Sequence, residues 1–258
     1  MRRSRVPWAV TAGVLVFLYL PIAVLVVNSF NASRYGGTWE GFTLSWYARL
    51  FRERSVWLAL RNTALIGAGA TLVSVVLGTA AAFALHRYDS RLQRIHFTLI
   101  YTPLVIPEIL MGMSLLIFFA AAGLRLGLFT VFLAHVTFCI SFVAMVVLAR
   151  LQDFDESLLE AARDLGADGW TATRRVLLPL LAPGIAAGAL LAFTLSIDDF
   201  VITFFVAGPG STTLPVRIYS MIKHSRQLPT INALSTLLLA ATFLAAAASR
   251  RMAVRSST

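Results

Sequence analysis

Lysine occurs once in 258 residues, at Lys223, and not within a G-x-x-x-x-G-K-[ST] context. The chain therefore has no phosphate-cradling Walker A loop and no such route to hydrolysing ATP. Cysteine is equally scarce. Cys139 stands alone inside an apolar run, so no intrachain disulfide can form and an inert buried thiol is expected. His86 and His96 have no second His or Cys at ligand spacing beside them, so no metal site is expected. Charged residues make up only 13% of the chain, about half the ~25% of a soluble domain. A chain that is 58% apolar with so little charge needs lipid to cover it. The net charge of +10 would suit a nucleic-acid partner, but the basic side chains fall between apolar runs and not along one soluble face. No nucleic acid is expected.

Long apolar runs are what the sequence does contain. They predict an all-α integral membrane protein: one transmembrane domain over residues 1–258, with six spans at about 8–28, 62–85, 97–121, 127–149, 182–206 and 231–248. The first run follows Arg2, Arg3 and Arg5 as in a signal peptide, but it is long and no Ala-x-Ala site follows. An uncleaved span, kinked at Pro21, is the expectation. With the N-terminus inside, thirteen arginines fall on the cytoplasmic side and nine basic residues on the other. That asymmetry favours an orientation with both termini and the charged island in the cytoplasm. Between spans one and two, aromatics and arginines alternate over 45–58, as in a helix lying at the outer interface. Most of these aromatics read as belt anchors; Trp46 is singled out because an indole face at a pore mouth can bind a cation.

Three acids sit where acids are costly. Pro103 and Pro107 are expected to break span three near mid-membrane, and Glu108 follows directly. Span five opens with Gly184-x-x-x-Gly188, which permits close helix contact, and later carries Ser196, Asp198 and Asp199. On a continuous helix Ser196, Asp199 and Thr203 share a face while Asp198 lies about 100° round. The two aspartates cannot point the same way unless the helix unwinds there. His135, in span four, reads as a packed, hydrogen-bonded residue.

The longest polar interruption is the island at 150–181, which holds six of the twelve carboxylates and four arginines. Asp155 or Ser157 can cap a short helix whose Leu158, Leu159, Ala162 and Leu165 share one side. Gly166 supplies a left-handed end, Asp168 can start a second helix, and Pro179 is expected to stop it. Two short amphipathic helices joined by a glycine elbow make a surface for another protein.

Glu160-Ala161-Ala162, three residues, Gly166, nine residues, then Val176-Leu177-Leu178-Pro179 resembles the EAA loop of ABC importer permeases, with Val176 where Ile is usual. The strings Tyr101 to Glu108, Ser196 to Phe205 and Gly208 to Pro215 resemble, more narrowly, the C-type permeases of spermidine/putrescine importers. The resemblance implies a MetI-like type I importer transmembrane domain, multi-pass in a bacterial inner membrane. It also implies a second homologous permease, a dimer of ATP-binding subunits holding ATP and magnesium, and a periplasmic polyamine-binding protein. Coupling to the ATPase would fall on Glu160, Ala161, Ala162, Asp164, Gly166, Arg174 and Pro179. A pathway for a string of ammonium groups needs spaced acids and apolar walls. Glu108, Asp198 and Asp199 meet that need, with Ser196 as a hydroxyl acceptor and Trp46 outside. No cofactor is expected in this chain. The alternatives are an importer permease for iron, thiamine or an amino-acid derivative, or a proton- or cation-coupled carrier; no inverted repeat supports the latter.

Overall fold

The computed structural model describes residues 6–35, 37–88, 91–224 and 228–255, so Arg2, Arg3 and Arg5 lie outside the described residues. Among those described, helices are the only extended regular elements, with one isolated β-bridge between Asn31 and Phe42. The chain divides into two compact units, 1–57 with 217–258, and 58–216.

The first unit contains α1 (Val6–Asn28), α2 (Ser45–Arg52), most of α11 (Leu214–His224) and the whole of α12. α1 is apolar on every side, with Phe17 and Trp8 about three-quarters exposed, as suits a helix bathed in lipid. Pro21 lies inside the helix. α12 (Leu228–Arg255) packs against α1 and α2. The basic end expected as a tail continues this helix as far as Arg255. The loop after α1 is organised by Asn31: its Oδ1 accepts from the Ser33 and Glu40 amides, and its carbonyl accepts from Trp46 Nε1 at 2.8 Å. Trp46 is thus an interior residue of this unit, only 7% exposed. The indole has no open face of the kind that cation binding at a pore mouth requires.

In the second unit α3 (Arg54–Arg87), α6 (Leu128–Gln152) and the helix through Gly169–Asp198 are each long and apolar enough to cross a membrane. The long α3 corrects the expected boundary at residue 62: the helix begins eight residues earlier, and only Ser45–Arg52 forms the separate short helix α2. Small residues set the spacing. A Cβ on Gly78 would lie 2.8 Å from Val143 Cβ and 2.9 Å from the Ile140 carbonyl, and one on Gly184 would lie 2.9 Å from Arg150 Cγ. Without water, helices in lipid associate by such close approach, not by burying apolar surface. The core that results is Val131, Cys139, Val143, Val147, Leu151, Leu181 and Ala192, with Cys139 Sγ directed at the Ala192 carbonyl.

Two expected spans are broken. α4 (Arg91–Val105) and α5 (Glu108–Ala121) meet at 114°. Pro103 does not interrupt its helix; the break falls at Ile106–Pro107. Pro107 is extended at ψ 133° and its carbonyl accepts from Leu110 and Met111, so it starts the new helix while forcing the residue before it out of helical geometry. α9 (Leu178–Asp198) ends at the two aspartates and α10 (Val201–Val206) begins afresh. A Cβ on Gly112 would come within 2.8 Å of the Phe205 ring, so this glycine lets α10 lie directly on α5.

The island folds as predicted at its start and differently at its end. α7 (Ser157–Asp164) begins where Asp155 Oδ1 accepts the Ser157 amide, and Gly166 ends the turn at φ +89°. α8 (Gly169–Ala172) starts on Asp168, whose carboxylate accepts the Thr171 amide at 3.0 Å. Hydrogen bonds from Ser157 and from Thr171 hold the Asp155 and Asp168 carboxyls below the ordinary carboxylate range. Pro179 does not stop the second helix. A π-turn over Thr173–Leu177, closed by the Leu178 amide on the Thr173 carbonyl, widens the helix just before the proline. The extra width accommodates a ring that would otherwise crowd the carbonyl four residues back. The elbow therefore runs without interruption into α9.

Candidate functional site

The breaks at Pro107 and Asp199 lie on one cavity of about 410 Å³ in the second unit. Its acids are Glu108 at the start of α5, Asp198 at the end of α9, and Asp199 just beyond. Its walls are apolar, with Phe138 and Phe142 from α6 and Phe200 from the α9–α10 link. A carboxylate on each of two helix ends is a consequence of the breaks: a straight helix would have turned Asp198 and Asp199 about 100° apart, and the extended backbone at Asp199 (ψ 123°) frees them from that rule. Glu108 and Asp198 are exposed within this unit.

Asp199 is placed differently. Its side chain is 5% exposed and its oxygens are filled. Oδ1 accepts from the Ile202 amide at 3.2 Å, while Oδ2 accepts from the Thr203 amide at 2.8 Å and the Thr203 hydroxyl at 2.7 Å. It caps α10 in the way an aspartate caps any helix whose first amides lack partners. Facing it is His135 on α6, wholly buried. His135 Nε2 lies 3.3 Å from Asp199 Oδ2 and 2.9 Å from Thr203 Oγ1, and Nδ1 lies 2.7 Å from Ser196 Oγ. Ser196, only 2% exposed, is turned to this histidine and away from the cavity. The shared face of Ser196, Asp199 and Thr203 was legible from spacing. The histidine that gathers them was not, because it stands more than sixty residues away in another helix.

The other candidate surface is the elbow. Glu160, Ala161, Asp164, Gly166, Arg174 and Pro179 are exposed and Ala162 is half-buried. α7 has no buried residue, and Leu165 and Trp170 stand 89% and 67% exposed at the bend. Two large apolar side chains uncovered at one bend make the elbow a candidate contact surface. Behind it lies a cavity of about 820 Å³ between the elbow and the end of α3, where His86 Nε2 meets Glu156 Oε1 at 3.5 Å. Among the described residues no cluster of His, Cys, Asp and Glu could hold a metal ion.

Comparison with known proteins puts these features in a family. The chain is 40% identical over 241 residues to the spermidine/putrescine transport system permease protein PotC of Escherichia coli (strain K12), covering 93% of this chain and 91% of that one. It is 41% identical over 246 residues to the putrescine transport system permease protein PotI of the same strain, covering 92% and 87%. Its fold matches a chain of a bacterial ABC transporter involved in the import of the acidic polysaccharide alginate, with TM-score 0.74 over 97% of this chain and 98% of that one; at 16% identity that likeness concerns fold alone. Residues 74–254, which include both broken spans, the acid-lined cavity and the elbow, match the family model for the binding-protein-dependent transport system inner membrane component, and the chain belongs to that family.

Proposed function

We propose that this chain forms, with a second homologous permease, the membrane pathway of an ATP-driven importer for polyamines such as putrescine and spermidine. A dimer of ATP-binding subunits, holding ATP and magnesium, docks on the elbow, and a periplasmic polyamine-binding protein delivers the cargo. Both termini lie in the cytoplasm, on the same side as the elbow, as the arginine distribution favours. The observation that carries the reading is the cavity in which Glu108 and Asp198 open between phenylalanine walls. An ammonium group leaving water needs a carboxylate, and the methylenes between ammoniums need an apolar or aromatic surface. The cavity offers both, and the likeness to two polyamine permeases agrees with it.

ATP turnover at the elbow would move α7 and α8, and because the π-turn joins α8 directly to α9, that motion reaches Asp198 through one helix. The elbow and Asp198 are thus ends of a single mechanical element. The test is ATP-dependent uptake of labelled putrescine and spermidine by the complex in vesicles. Glu108→Gln and Asp198→Asn should each lower uptake by about 10- to 100-fold, the loss of one charge-assisted contact, with complex assembly retained. Unchanged uptake in both variants would remove the pathway role, and uptake that needs no ATP-binding subunit would remove the importer.

A further inference from the structure

We propose that His135 is a positioning residue that staples the two sides of the α9–α10 break. In this arrangement Asp199 is committed to the framework and Asp198 is the aspartate left for a cationic cargo. The inference rests on the reading above only for what Asp198 meets; the staple itself is a matter of geometry.

One imidazole reaches both sides of the break. Nδ1 binds Ser196 in the last turn of α9, and Nε2 binds Thr203 in α10 with Asp199 beside it. α10 has six residues, too few to hold a direction by its own hydrogen bonds. Its orientation is set by what anchors its first turn: the Asp199 cap and, through Thr203, the histidine. Cargo contact by the ring is excluded by its place: it is 0% exposed, packed at a tilt against Phe138 with ring centroids 5.4 Å apart, and behind the cavity wall. Asp199 is occupied in the same way, its two oxygens already meeting two amides, a hydroxyl and the ring. Asp198, one residue earlier and exposed to the cavity, owes its direction to where the chain leaves α9, which the Ser196 contact fixes. The requirement is a flat side chain with two polar atoms aimed at two helices. A glutamine amide meets it in part; an alanine does not.

The test uses the complete complex in lipid vesicles, with Cys139→Ser removing the native thiol. A single cysteine is placed at Thr203 or at Asp198 and labelled with a small cationic methanethiosulfonate. Asp198→Cys should react. Thr203→Cys should stay inert while His135 is present, react about tenfold faster or more with His135→Ala as the break opens locally, and stay slow with His135→Gln. Because Thr203→Cys itself removes one contact, amide hydrogen exchange at Ile202 and Thr203 is followed in parallel without any cysteine; it should quicken with His135→Ala and be restored toward the parent by His135→Gln. Putrescine uptake should fall with His135→Ala chiefly through a raised KM, with ATP hydrolysis and complex elution unchanged, and recover in part with His135→Gln. Labelling and exchange that ignore His135 overturn the staple, as does an Asp198→Cys that stays inert while Thr203→Cys reacts. If the break loosens as expected but the vesicles take up neither putrescine nor spermidine, the cargo reading fails and the staple stands.

Discussion

Asp198 and Asp199 are neighbours in sequence with opposite surroundings, one open to the cavity and one filled with hydrogen bonds. The same substitution should therefore do different things at the two positions. Asp199→Ala strips the first amides of α10 of their acceptor and leaves His135 facing no carboxylate. Its cost is about 1–3 kcal/mol, from a lost cap and buried groups left unpaired, visible as a lower midpoint of thermal unfolding in detergent. Asp198→Ala removes no such bond and should leave the midpoint unchanged while uptake falls. An equal shift for both would mean that the break is held by something other than Asp199. From sequence, spacing put the two aspartates on different faces but did not show which face was filled, because the histidine that meets Asp199 stands in another helix. Trp46 illustrates a related point: composition marks an aromatic as a candidate, and only the fold shows that its N–H is given to the Asn31 carbonyl.

Helices in this chain pack on glycines, and the distances separate those that must be glycine from those that need not be. A methyl group at Gly78 would meet Val143 and the Ile140 carbonyl below 3 Å, and a backbone carbonyl cannot rotate away. At Gly188 the nearest atoms, all of Val143, begin at 3.5 Å, an ordinary contact. Gly78→Ala should therefore cost about 1–3 kcal/mol by overpacking and Gly188→Ala less than about 0.5 kcal/mol, compared by thermal unfolding of the two variants. A tolerant Gly78 would show that α3 and α6 are free to separate. Element existence was well marked in the sequence, since a run of about twenty apolar residues has few other meanings. Element ends were not. Pro179 carried a stop signal that a π-turn overrode, and Pro103 carried a break signal that its helix absorbed, while the true break came at Pro107. In each case the proline removes one hydrogen bond, and whether the helix survives depends on neighbouring turns that no local pattern records.

On the scale of the molecule, the proposed importer draws its drive from ATP-binding subunits, and in that reading the drive reaches the acid-lined cavity through a surface of this chain. The elbow is where entry is possible. It exposes Leu165 and Trp170 beside Leu158, flanked by the exposed Glu160, Asp164 and Arg174, an apolar centre with a charged rim. None of these side chains supports the fold beneath them: α7 has no buried residue, and α8 is anchored through Ala172 instead. Replacing Leu165 by aspartate or Trp170 by alanine should therefore leave the unfolding midpoint of the purified chain within about 0.5 kcal/mol of the parent, as for surface changes generally. Each should weaken capture of the ATP-binding subunit by about 2 kcal/mol or more, the cost of losing an interface anchor, measured by co-purification and by titration of the purified subunit. Uptake should fall with the lost docking, while Asp198→Cys remains as reactive to thiol reagents as before, since the cavity is untouched. If the elbow variants bind the subunit normally yet fail to transport, the elbow transmits motion without supplying affinity, and the anchoring residues must be sought elsewhere on the chain's surface. If they instead unfold, the exposed leucine and tryptophan are part of the framework and the continuous α8–α9 helix is not the lever.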